Sequence, residues 1–136
     1  MSTNQKGLKF YDNLDLSQRE NEGELITVYQ KWAALYDKDN DDLLGTVSQP
    51  TAVQIFQEYV KDKKLKIVDV GCGTGLVGQE LEKSGFINFD GIDISQEMID
   101  IAYSRGYKSL FLGNLNESLP FKSKSYDAAL CVGVFT

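Results

Sequence analysis

Apolar positions settle into a helical rhythm from Leu25 onward, where Leu25, Val28, Tyr29, Trp32, Leu35 and Tyr36 share one aromatic-rich stripe. Ahead of that helix, residues 1–24 are polar with scattered apolar positions and read as a mobile lead-in. Behind it lies the acidic linker Asp37-Lys38-Asp39-Asn40-Asp41-Asp42. The linker has some look of a calcium loop, but it lacks the turn glycine and the closing glutamate, so no metal site is expected. Thr51 is placed to cap a second helix with Ala52, Ile55, Phe56 and Tyr59 on its buried face. The period then shortens. Leu65–Val70 is β-branched and bounded by glycines, which predicts a buried strand. Leu76–Lys83 is helical and stops at Gly85, and Phe86–Ile94 reads as a second strand. Ser95 caps a helix through Met98, Ile99 and Ala102, with Glu97 in its first turn and Gly106 at its end. Ser109–Leu112 gives a third strand and Tyr126–Phe135 a fourth. Strand, helix, strand, helix, strand and a loop-rich crossing to a strand predict an α/β fold on a parallel sheet.

Composition narrows the picture. The chain has 136 residues, of which 42% are hydrophobic and 25% charged, enough for one compact domain. A net charge of −6 repels phosphate backbones and anionic lipid, which argues against nucleic acid or a membrane as partner. Histidine, the commonest general base and metal ligand, is absent. Cys72 and Cys131 lie far apart and form no metal or disulfide motif, which fits a reducing, cytoplasmic compartment. The polar N-terminus has no signal-peptide core, and the apolar run from Ala128 to Phe135 is too short to span a bilayer.

The candidate chemistry sits between the first strand and the helix after it, in Asp69-Val70-Gly71-Cys72-Gly73-Thr74-Gly75. Glycines there let the backbone turn sharply and approach a ligand with no Cβ in the way. Free N–H groups at the helix start favour a carboxylate or another anion. A tight strand–helix turn with no ligand would show the same glycines. Three neighbours favour the ligand. Asp69 is a carboxylate inside an apolar strand, costly unless paired, and a ligand ammonium would pair it. Asp93 closes the second strand, where an acid accepts hydrogen bonds from ribose hydroxyls. Gly113-Asn114-Leu115 closes the third and can meet a purine edge. An amino acid, a ribose and an adenine in that order describe S-adenosylmethionine.

The same residues resemble a known family. Val68-Asp69-Val70-Gly71-Cys72-Gly73-Thr74-Gly75 is similar to the first motif of the class I S-adenosylmethionine-dependent methyltransferases, and Gly91-Ile92-Asp93-Ile94-Ser95 with Met98 resembles the second. Leu119-Pro120-Phe121 through Tyr126-Asp127-Ala128 resembles the approach to the fourth strand. Trp32-Ala33-Ala34-Leu35-Tyr36-Asp37, with Gly45 and Pro50 beyond it, is most similar to the Williams-Beuren-region methyltransferase-like proteins. The resemblance implies a Rossmann-like sheet of order 3-2-1-4 with N-terminal helices, as a domain over residues 25–136. It also implies a cofactor site formed by Tyr36, Asp69, Gly71, Cys72, Gly73, Thr74, Gly75, Asp93, Ile94, Met98, Asn114 and Leu115. Asn114 stands where the family usually has Asp, keeping a carbonyl acceptor without the charge. The family continues for three strands beyond the fourth, and these C-terminal strands are expected to be missing here.

The resulting expectation is methyl transfer from S-adenosylmethionine to a small-molecule acceptor. No catalytic residue is assigned, because an electrophilic sulfonium needs positioning and desolvation more than a nucleophile. Two alternatives remain. One is a non-catalytic S-adenosylmethionine-binding module. The other is a nicotinamide-dependent oxidoreductase, disfavoured by Leu76 where a dinucleotide fingerprint has its third glycine. Strand four, apolar on both faces, is expected to be an edge open to self-association.

Overall fold

A computed structural model of the chain describes residues 48–133. The lead-in, the helix of the aromatic stripe with Tyr36, and the acidic linker all lie outside the described residues. The described part holds helices α1 (Ser48–Tyr59), α2 (Leu76–Lys83) and α3 (Gln96–Ala102) and strands β1 (Ile67–Val70), β2 (Phe89–Asp93), β3 (Leu110–Leu112) and β4 (Ala128–Leu130). The four strands form one sheet in the order β3-β2-β1-β4. Every pairing is parallel, with Ile67 opposite both Phe89 and Ala128, and Gly91 opposite Leu110. The order reverses between β1 and β4, and in a parallel sheet the carboxyl ends beside that point form the ligand-binding rim.

Val53 on α1, Ile67 on β1, Val77 and Leu81 on α2, Phe86, Phe89 on β2 and Leu130 on β4 form the core cluster. The buried face of α1 differs from the expected one. Val53 is buried, whereas Ile55 and Tyr59 are 51% and 82% exposed. The helix begins at Ser48 rather than after Thr51, and the residues packed on the core are Val53 and, partly buried, Phe56 and, just past the helix end, Val60.

Strands β2 and β4 are also shorter than their apolar runs. Gly85, at φ +89°, ends α2 in the left-handed conformation. Its N–H donates to Glu82 O, and the N–H of Phe86 donates to Leu81 O, each at 3.0 Å. That is a Schellman turn, with Phe86 and Leu81 as the apolar pair that accompanies it. Phe86 therefore anchors the helix end, and the ladder starts three residues later at Phe89. At β4, the described part of the Tyr126–Phe135 run pairs from Ala128 to Leu130, alongside a β1 that ends at Val70 and turns at Gly71. Ala129 and Cys131 are exposed, so β4 is not buried on both faces. Asp127 is the turn residue: its carboxylate accepts from Lys66 N–H at 2.9 Å while its own N–H donates to Lys66 O at 2.8 Å. Among the described residues no helix is long and apolar enough to cross a membrane.

Candidate cofactor site

The glycine loop is tied down along the rim of the sheet. After β1, the N–H groups of Gly71 and Cys72 both donate to Ile92 O on β2, at 2.9 and 3.0 Å. Gly71, Gly73 and Gly75 have φ of +69°, +54° and +90°, angles that residues bearing a Cβ adopt only at a cost. Asp93 joins three segments. Its Oδ2 accepts from Gly73 N–H at 2.9 Å and its Oδ1 from Ser95 N–H at 3.0 Å, while its backbone O accepts from Gly113 N–H at 2.9 Å. Burial pushes the Asp93 carboxyl up, partly offset by the N–H donors of Ser95, Gly73 and Ile94. Ser95 caps α3 as its sequence suggests, its Oγ accepting from Met98 N–H at 3.3 Å.

Asp69 is 1% exposed within β1. Burial pushes its carboxyl up to about 7; the Tyr107 hydrogen bond lowers it and the neighbouring Asp93 charge raises it. The Tyr107 hydroxyl donates to Asp69 Oδ2 at 2.5 Å and accepts from Gly78 N–H at 3.0 Å. Gly78 lies in the first turn of α2, whose N-cap is Gly75 and offers no side-chain acceptor. A tyrosine distant in sequence thus satisfies one of the N–H groups that a helix start leaves open.

The loop residues divide by surroundings. A Cβ built on Gly73 meets nothing within 4 Å among the described residues beyond its chain neighbours, so none of the described elements packs over it. A Cβ on Gly75 would sit 2.9 Å from the Tyr107 ring and 3.1 Å from Ala102 Cβ, which gives that glycine a packing task. Thr74 is 1% exposed; Arg105 Nη1 donates to its O at 2.9 Å and to its Oγ1 at 3.3 Å. Cys72 is buried, and burial with the charges of Asp69 and Asp93 drives its thiol well above the usual range, so it fills space and is no nucleophile. Met98 is buried, Ile94 half-buried and Leu115 37% exposed. Asn114 Oδ1 accepts from Asn116 N–H at 2.9 Å in a turn just past β3. Asp69, the loop, Asp93, Ile94 and Asn114 thus stand at or beside the carboxyl ends of β1, β2 and β3.

Sequence reasoning missed Tyr107, Arg105, Gly78 and the buried Asp90, which accepts from Ser109 N–H at 3.0 Å and from the Tyr126 hydroxyl at 2.7 Å. The one available signal was Asp90 itself, an acid in the middle of a buried strand.

Comparison with known proteins decides the family. Residues 67–136 match the family described as a methyltransferase domain. The chain belongs to the methyltransferase-domain family. Human methyltransferase-like protein 27 is 37% identical over 126 residues, covering 90% of this chain and 49% of that protein. The 18S rRNA (guanine-N(7))-methyltransferase of Bos taurus is 38% identical over 73 residues, 53% of this chain and 26% of that one. Among solved structures, an S-adenosylmethionine-dependent methyltransferase of Thermotoga maritima superposes with a TM-score of 0.56 at 25% identity, covering 76% of this chain and 44% of that one. The chain of this methyltransferase domain spans about half the length of the first relative and a quarter of the second. S-adenosylmethionine is the cofactor of the domain, which sets the nicotinamide alternative aside.

One expectation is overturned. The acidic net charge argues against nucleic acid as partner and the expected acceptor is a small molecule, yet a relative named for 18S rRNA is 38% identical over 73 residues of this chain. A sum of −6 averages over a chain that covers a quarter of that relative, and such a sum does not report where basic surface lies.

Proposed function

We propose that this domain holds S-adenosylmethionine across the carboxyl ends of β1, β2 and β3, and that the protein transfers its methyl group to an acceptor. The observation that carries the reading is that none of the described residues packs over Gly73, at φ +54°, beside an Asp93 already fixed to the Gly73 N–H. Asp69 and the loop Gly71–Gly75 take the amino-acid end. Asp93 takes the ribose hydroxyls with the acceptor capacity its backbone N–H donors leave. Ile94, Met98, Asn114 and Leu115 flank the adenine. When bound, the cofactor supplies an electrophilic methyl on a sulfonium. The chain's task is to orient the cofactor and exclude water, and no side chain of the loop need act as nucleophile. Two free thiols, Cys72 and Cys131, fit a reducing, cytoplasmic setting.

Titration calorimetry with S-adenosylmethionine, S-adenosylhomocysteine and NAD tests the reading, with binding expected for the first two only. Gly73→Ala sharpens it. The new Cβ meets no other described residue within 4 Å, so the described fold tolerates it apart from the cost of a positive φ. Affinity for S-adenosylhomocysteine should fall at least tenfold, about 1.4 kcal/mol. Unchanged affinity in a folded Gly73→Ala protein would remove the ligand from this loop. For methyl transfer, RNA is included among the acceptors offered, given the rRNA relative.

A further inference from the structure

Tyr107 lies outside every motif that identifies the cofactor site, yet its hydroxyl is the hinge of that site's buried acid. It joins the N–H of Gly78, at the start of α2, to Oδ2 of Asp69, inside β1. The ring is held on three sides. It stacks edge-on against Phe89, with centroids 5.1 Å apart. It lies where a Cβ on Gly75 or Gly91 would sit 2.9 Å away, and a Cβ on Gly78 would overlap it. Three glycines therefore keep clear the slot this one ring fills. Among the described residues, Tyr107 is the only hydrogen-bond partner of the Asp69 side chain, and Oδ1 takes none. A carboxylate oxygen buried and unpaired is costly, and its natural complement is a cationic N–H donor.

We propose that Tyr107 is a positioning residue for the amino-acid end of the cofactor: it locks Oδ2 of Asp69 to the first turn of α2 and so presents Oδ1 to the ligand ammonium. The inference rests on the cofactor placement proposed above. It makes binding depend on the ionisation of Asp69, because only the carboxylate attracts an ammonium. The groups facing Asp69 among the described residues are Tyr107, Asp93 on β2, Cys72 in the loop and Cys131 just past β4. The tyrosine and both thiols are pushed up and stay neutral, and Asp93 opposes ionisation by like charge. Tyr107 is the one neighbour that favours the carboxylate. Loss of its hydroxyl must raise the Asp69 carboxyl further from about 7.

The test is S-adenosylhomocysteine affinity, by calorimetry on the full chain from pH 5.5 to 8.5, for the native protein, Tyr107→Phe, Asp69→Asn and the double variant. Phenylalanine keeps the ring and loses only the hydroxyl, and circular dichroism checks that each variant folds. In the native protein, affinity should fall as the pH drops through about 7. In Tyr107→Phe it should be about tenfold weaker at pH 7, with the pH midpoint moved upward. In the Asp69→Asn background the phenylalanine should cost nothing further and no midpoint should remain. A pH profile for Tyr107→Phe that overlays the native one, or an equal loss in both backgrounds, would make the tyrosine a packing residue only. Native protein that binds no S-adenosylhomocysteine at any pH would take down the cofactor placement, and this inference with it.

Discussion

Asp69, the acid proposed to meet the ligand ammonium, works against the stability of the fold near neutral pH. Its carboxyl is pushed up to about 7 in the folded chain, from 3.8 as the ordinary value. Between those two values the folded chain holds a proton that the unfolded chain has released. Stability therefore falls as pH rises from about 4 to 7 and then levels off. Asp69→Asn keeps an oxygen to accept from Tyr107 and removes the charge. We expect its urea midpoint to exceed the native one at pH 8, with a gap that shrinks steadily toward pH 4. A gap independent of pH would mean that the acid is not titrating in this range. The acid was visible in the sequence as a polar position in an apolar strand. Its partner was not, because Tyr107 lies 38 residues away and reads as an ordinary aromatic after a helix-ending glycine. Cys72 and Thr74 were legible as loop residues. That their side chains turn inward depends on Arg105 and on the packing around Gly91, which no local pattern encodes.

At the scale of elements, helix starts and stops were legible where one residue carries the signal. Ser95 caps α3, and Gly85 and Gly106, both at φ +89°, follow α2 and α3. Strand limits were not, since an apolar run says which residues are buried, while a ladder needs a partner at each position. Phe86 and Tyr126 are held by core packing and by a buried acid, respectively, outside any ladder. Helix α2 gives a test in which propensity and packing have opposite signs. Alanine in place of a helical glycine is worth up to about 1 kcal/mol in its favour by propensity, less in a first turn such as that of Gly78. At Gly78 the added methyl would overlap the Tyr107 ring, which is pinned against Phe89 and bonded at its hydroxyl. We expect packing to win. Gly78→Ala should destabilise the chain by roughly 1–3 kcal/mol, the usual cost of overfilling a tight site, read as a lower urea midpoint. A higher midpoint would show that the ring yields freely, and would weaken any positioning role for its hydroxyl.

At the scale of the whole described unit, parallel pairing brings the chemistry together. Asp69, Asp93 and Asn114 are widely spaced in sequence, yet each sits at or near the carboxyl end of its strand, because β1, β2 and β3 run the same way. Periodicity alone announced a parallel sheet; the order β3-β2-β1-β4 came from motif resemblance, since nothing in one strand's sequence names its neighbour. That arrangement predicts how a ligand is felt. Saturating S-adenosylhomocysteine, at about a hundred times its Kd, should add about 2.7 kcal/mol to unfolding, because it binds only the folded chain. The local response should be uneven. Hydrogen exchange should slow most at Gly71–Gly75 and at residues 113–116, which form the rim. It should change little across α1, Ser48–Tyr59, whose buried Val53 belongs to the core cluster and whose sequence carries none of the proposed cofactor contacts. In the free chain, Ile67–Val70 and Phe89–Asp93 should exchange slowest, as the two strands paired on both sides, and the three-residue strands β3 and β4 faster. Strongest ligand protection on α1, with none at the loop, would place the cofactor somewhere other than the carboxyl ends of the sheet.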